Sequence, residues 1–229
     1  MMSSSLALSD SPSLISPRLG QVALDRLPVK LGVMSSGSGS NFEAIAQAIS
    51  DQRLNAQIEV LVYNNPGAAV NDRATRWGIP SMLVDHRAFG SREELDRAIV
   101  QILQTAEVDW VIMAGWMRIV TPVLIHAFDQ RILNIHPSLL PSFKGNRAIE
   151  QALEAKVKIA GCTVHIVVPE VDSGEIIMQA AVPVFPDDTV ETLQNRIHIQ
   201  EHLVYPQAIG LAAQHSRKQV PQTASEMTV

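Results

Sequence analysis

From residue 29 to residue 136 short apolar runs alternate with stretches of helical spacing, and that alternation leaves few folds open. Residues 29–35, 58–63, 82–84, 110–114 and 132–135 read as buried strands. Between them, residues 40–49 set Phe42, Ile45, Ala46 and Ile49 on one helical face, and residues 69–77 form a helix ended by Gly78. Ser91 and Glu94 make a capping box that opens a helix over Leu95, Ala98, Ile99 and Ile102, and residues 122–127 make another. Strand and helix in turn predict an α/β fold built on a doubly wound, mainly parallel sheet. After Pro141 the pattern changes. Residues 148–155 are helical, whereas residues 161–168 and 175–183 alternate in the manner of a C-terminal antiparallel hairpin. Residues 189–212 read as a closing helix, bent near Pro206.

The 229 residues suffice for one such domain, placed at about 29–214. Residues 1–28 are rich in Ser, interrupted by Pro, and lack the basic start and long apolar stretch of a secretory signal. They are expected to be a disordered N-terminal extension, and residues 215–229 a disordered C-terminal tail. The net charge is −5 with no basic stripe, which argues against nucleic acid as a partner. No apolar run approaches the roughly 18 residues of a membrane span. A single cysteine, Cys162, excludes an internal disulfide framework and fits a reducing, cytoplasmic setting. In its β-like run it reads as a small buried hydrophobe.

Three segments carry chemistry. At the end of a strand, Asn134 and His136 are two residues apart and share a face. They deliver an amide and an imidazole side by side, able to donate to an oxyanion and to carry a proton near neutral pH. An Asn-His pair that merely satisfies a turn is the plainer alternative. Residues 36–41, Ser-Gly-Ser-Gly-Ser-Asn, lie between a strand and a helix, where free N–H groups attract an anion. Phe42 stands where a dinucleotide loop has its third glycine, and no Lys follows as a P-loop requires. A single phosphate monoester fits; a glycine turn with Ser40 or Asn41 as helix N-cap is the alternative. The third segment is the polar turn 170–174 with Asp172, which follows His165 on the preceding strand. Asp172 also suits a plain turn, and His165 a satisfied core histidine. The seven histidines show no metal-ligand spacing.

Taken together, Gly-Ser-Gly-Ser-Asn at 37–41, Gly-Trp-Met-Arg at 115–118, Asn-Ile-His-Pro-Ser-Leu-Leu-Pro at 134–141 and the stretch from His165 through Gly174 resemble the phosphoribosylglycinamide formyltransferases. These belong to the folate-dependent formyltransferases and hydrolases. The resemblance covers about residues 30–214 and implies the formyltransferase fold. It implies transfer of a formyl group from 10-formyltetrahydrofolate, a co-substrate, to the amine of glycinamide ribonucleotide, with no metal, by a monomer or homodimer. Asn134, His136 and Asp172 fall on the family's catalytic trio, Gly39, Ser40 and Asn41 on its phosphate loop, and Gly115 and Glu201 on its substrate site. Met117, Arg118, Ile119, Val120, Val168 and Val171 fall on its folate pocket, and Leu140-Pro141 on a cis peptide. Two positions depart. Ile149 stands where a histidine is frequent, and His198 where a Gln or Lys often contacts the substrate.

The implied chemistry agrees with the residues. A tetrahedral intermediate needs oxyanion donors, supplied by Asn134 and protonated His136, and a group that charges His136 and relays protons, supplied by Asp172. A methionyl-tRNA formyltransferase would want a further basic domain after residue 214. A formyltetrahydrofolate hydrolase would want a regulatory domain before residue 29. A non-catalytic nucleotide-binding module would leave the trio unexplained.

Overall fold

The computed structural model describes residues 14–17 and 27–219, with only the backbone described at 215–219. In chain order the strands are β1 (Leu14–Ser16), β2 (Val29–Ser35), β3 (Ala56–Tyr63), β4 (Ser81–Leu83), β5 (Trp110–Met113), β6 (Ile132–His136), β7 (Ile159–Ile166) and β8 (Ile176–Pro183). The helices are α1 (Ser40–Ser50), α2 (Val70–Arg76), α3 (Arg92–Thr105), α4 (Pro122–Ala127), α5 (Ala148–Glu154) and α6 (Val190–Gln219). All eight strands join one sheet, ordered β1-β8-β7-β6-β5-β2-β3-β4. β2 through β6 run parallel, and β7, β8 and β1 are added antiparallel.

The parallel strands bury both faces, because helices cover each side. On one face α1, α2, α5 and α6 close a core around Leu31, Phe42, Ile45, Leu133, Ile197 and Tyr205. On the other, α3 and α4 cover Met34, Val62, Ile99, Leu103 and Leu124. The strand order reverses between β2 and β5, and there the carboxyl ends of the strands open a crevice. Tyr205 ties α6 to that crevice, since its buried hydroxyl lies 3.1 Å from the carbonyls of both Met113 and Leu133. The hairpin β7–β8 forms as expected, Pro206 lies inside α6, and Leu140–Pro141 is cis.

Two boundaries need correction. Residues 1–28 were expected to be disordered throughout, yet Leu14–Ser16 pairs with β8, placing Leu14 opposite Ala181 and Ser16 opposite Gln179. Three residues between prolines carry no period to read, but Ile15 finds a partly buried place against the core. A strand this short also covers an otherwise open sheet edge. Residues 1–13 and 18–26 of the expected extension lie outside the described residues. The disorder expected from 215 does not hold for 215–219, because α6 continues to Gln219, and residues 220–229 lie outside the described residues. Once a helix is nucleated, each further residue adds a hydrogen bond at little cost, and Arg217, Lys218 and Gln219 are favourable helix types.

β1 lies far along the sheet from the crevice, so its loss should register in stability and not in turnover. Deleting residues 1–25 should lower the melting temperature by a few degrees, at about 2–4 °C per kcal/mol for a chain of this size. The kcat should stay the same. An unchanged melting temperature would show that the strand contributes nothing.

Candidate active site

Two clefts open at the crevice and share a wall. The larger, about 710 Å³, is lined by Asn134, His136, His165 and Asp172 together with all six residues expected of a folate pocket, Met117, Arg118, Ile119, Val120, Val168 and Val171. The smaller, about 350 Å³, is lined by the 35–41 loop, with Ile149, Gln194, His198 and Glu201 opposite. Gly115, Met117, Ile135 and Pro137 border both. Each expected site residue therefore lies on one cleft or the other.

Asn134 and His136 share a face of β6, and the turn after β7 folds Asp172 over them. Asp172 has φ +49, a left-handed conformation that a short polar residue tolerates. Its Oδ2 accepts from the Gly145 backbone N–H at 2.8 Å and lies 3.3 Å from His136 Nδ1. Its Oδ1 lies 3.5 Å from His165 Nε2. His136 Nε2 is 2.8 Å from the Phe143 carbonyl. A carbonyl only accepts, so this nitrogen carries a proton, and the Asp172 charge faces the other ring nitrogen. His165 follows the same logic. Its Nδ1 meets the Ile166 carbonyl at 2.9 Å, which leaves Nε2 to accept from the Asn134 amide at 3.2 Å. His165 is thus both a satisfied core histidine, as its position suggested, and the link between Asn134 and Asp172.

Burial opposes ionisation of Asp172, but the Gly145 N–H and the His136 imidazole outweigh it and hold the carboxyl below the usual carboxylate range. An unfolded aspartate titrates near 3.9, so the folded state binds its proton at lower pH than the unfolded state. The stability that Asp172 supplies is present above about pH 4 and is lost as pH falls toward 2. Urea midpoints of the wild type and Asp172→Asn should differ at about pH 5, and the gap should close below about pH 4. A gap that widened on acidification would contradict this electrostatic arrangement.

The smaller cleft is built on α1. Its N-cap is Gly39, at φ +75, and no side chain caps the helix. The alternative of Ser40 or Asn41 as N-cap is therefore not what forms. Asn41 turns its amide onto Glu201, donating to Oε2 at 2.9 Å across 160 residues of sequence. Arg73 donates to the Ser38 carbonyl at 2.8 Å and to Glu43 at 2.8 Å, fixing the loop from α2. Glu201 is 4 % exposed, and burial pushes its carboxyl up. His198 Nε2 lies 4.0 Å from it. A Cβ at Gly39 would stand 2.5 Å from Val70 Cγ2 and 3.0 Å from the Val70 Cα, so a larger residue must shift α2 or the loop. Gly39→Val should then raise the KM of an anionic ligand of this cleft by roughly tenfold or more, for a few kcal/mol of backbone strain. The KM of a ligand of the larger cleft should move less than about twofold. Equal weakening of both, in a folded variant, would contradict an anion loop here.

Some residues carried no signal in the sequence. Arg92 and Arg147 border the larger cleft, and Asn65 the smaller. Arg92 sits one residue past the capping Ser91, where it reads only as a helix start. Cys162 is fully buried, which pushes its thiol well above the usual range, as expected of a packing residue. Among the described residues, no group of three potential metal ligands gathers, and no helix is long and apolar enough to cross a membrane.

Compared with known proteins, the sequence matches the family model described as "Formyl transferase" over residues 29–209. Phosphoribosylglycinamide formyltransferase from Bacillus subtilis (strain 168) is 41% identical over 180 residues, 79% of this chain and 92% of that protein. The trifunctional purine biosynthetic protein adenosine-3 of Homo sapiens is 42% identical over 191 residues, 83% of this chain but 19% of the human protein. The chain thus spans about a fifth of that relative. The crystal structure of glycinamide ribonucleotide transformylase 1 from Symbiobacterium toebii superposes with a TM-score of 0.81 at 46% identity, covering 82% of this chain and 89% of that one.

Proposed function

We propose that this chain, which belongs to the formyl transferase family, transfers a formyl group from 10-formyltetrahydrofolate to the amine of glycinamide ribonucleotide in purine synthesis. The observation that carries this reading is that Asn134 and His136 alternate with Ile135 and Pro137, which border both clefts, with Asp172 beside His136. The smaller cleft has a glycine loop and free helix N–H groups for a phosphate, with Gly39, Ser40 and Asn41 along it. Glu201 lies further in, toward the ribose and amine. The larger cleft exposes Met117, Ile119 and Val171, at 80%, 57% and 44%. Covering such side chains with the flat ring of a folate contributes on the order of 1–3 kcal/mol each.

The reaction forms a bond from the nucleotide amine to the formyl carbon and breaks the bond from that carbon to folate N10. The amine gives up one proton and N10 gains one. Between these events the formyl oxygen carries negative charge, which the Asn134 amide and a His136 N–H stabilise. His136 must exchange the Phe143 carbonyl for that oxygen as substrate arrives. Asp172 stabilises the second proton on His136 and passes protons between amine and N10, directly or through water. The chain needs no metal for these steps, acts as a monomer or homodimer, and works in the cytoplasm beside its small-molecule substrates.

A carbon label in the formyl group of the folate tests the reading. Mass spectrometry should find the label on the nucleotide, attached at its amine. Label recovered as formate, with unaltered nucleotide, would overturn it.

A further inference from the structure

The two clefts meet at the switch between β2 and β5, and one residue bridges them. Ser36 leaves β2 at the floor of the smaller cleft and is 7 % exposed. Its backbone N–H donates to the Gly115 carbonyl at 3.0 Å. Its Oγ accepts from the Met117 N–H at 2.9 Å, and its carbonyl accepts from the Asn65 amide at 2.7 Å. Met117 lies in the 115–120 segment that lines the larger cleft. Between the buried Trp116 and Val120, its middle has little burial to hold it, since Met117 and Ile119 are mostly exposed. Its far end is fixed independently: Asp96 Oδ2, from α3, accepts from the Thr121 N–H at 2.6 Å and the Thr121 hydroxyl at 2.8 Å. The near end is fixed to the anion loop.

We propose that Ser36 is a positioning residue that couples the two ligands: a nucleotide seated on the 36–41 loop fixes Ser36, and through the Met117 N–H it fixes the segment that receives the folate. The inference rests on the function proposed above. An ordering cost met by the first ligand is not met again by the second, so each tightens the other by one common factor. The hydroxyl is the part of Ser36 that a substitution can remove, because the Gly115 and Asn65 bonds use its backbone.

The test is the affinity of tetrahydrofolate, which permits no turnover, measured calorimetrically with and without saturating glycinamide ribonucleotide. In the wild type the nucleotide should tighten folate binding roughly fivefold or more, the lower end of usual coupling. In Ser36→Ala the ratio should fall below about two, and Ser36→Thr, which keeps the hydroxyl, should restore most of it. Thr121→Val loosens the far end of the same segment and serves as comparison. It should weaken folate binding equally with and without nucleotide, leaving the ratio intact. Melting curves establish that each variant is folded, and the wild-type and Ser36→Thr ratios decide the matter if Ser36→Ala is not. A wild-type ratio near one, a wild-type ratio in folded Ser36→Ala, or a ratio lowered in Thr121→Val as far as in Ser36→Ala would overturn the coupling role. Failure of the wild type to bind either ligand would instead overturn the proposed function, and the coupling with it.

Discussion

Asp172→Asn should lower kcat by about 10²- to 10⁴-fold, the range for loss of a positioned acid–base group, while the protein stays folded. The surroundings of Asp172 explain both halves of that outcome. Oδ2 meets the Gly145 N–H and His136 Nδ1, whereas Oδ1 meets His165 Nε2, an acceptor when Nδ1 carries the proton. An asparagine can set its carbonyl oxygen where Oδ2 stands, keeping the Gly145 bond, and its amide nitrogen where Oδ1 stands, facing His165 Nε2. It tolerates the left-handed backbone of position 172 as well as aspartate does. What it lacks is the charge that stabilises a second proton on His136. A folded variant retaining more than about half of wild-type activity would contradict the role.

Asn134→Ala should reduce kcat by about 10²- to 10³-fold with a small change in KM, as expected for a donor used mainly when charge develops. Asn134 is half-buried at the lip of the larger cleft, and its amide has two hydrogens. One faces His165 Nε2 at 3.2 Å, which fixes the plane of the amide and leaves the other for the formyl oxygen. Separate kcat and KM determinations check the assignment. A raised KM with unchanged kcat would make Asn134 a ground-state contact and remove it from the oxyanion account.

Much of this was legible before any coordinates, and physics marks where legibility ended. The parallel strands announce themselves because both of their faces are buried, so apolar residues run continuously between helical stretches. The offset of two between Asn134 and His136 fixes their common face whatever the tertiary packing. β1 was not legible, since Leu14–Ser16 is too short to show a period and is held by a partner 165 residues away. Asn41 was read as a phosphate ligand or helix cap. No side chain caps the helix, and the Asn41 side-chain amide serves Glu201, because a carboxyl from α6 is buried beside it and a buried polar group requires a partner. The engagement of both His136 nitrogens was equally hidden: the Phe143 carbonyl reaches Nε2 only through the loop that follows β6. Local pattern fixes the elements and the residues they present, whereas pairings across long separations appear only in the folded chain.

The central claim is that the chain moves a formyl group between two bound substrates and does not hydrolyse the folate. The most direct measurement is release of tetrahydrofolate from 10-formyltetrahydrofolate, followed with and without glycinamide ribonucleotide. The account predicts release only when the nucleotide is present, with one formylated nucleotide for each tetrahydrofolate. Equal release without the nucleotide would contradict it.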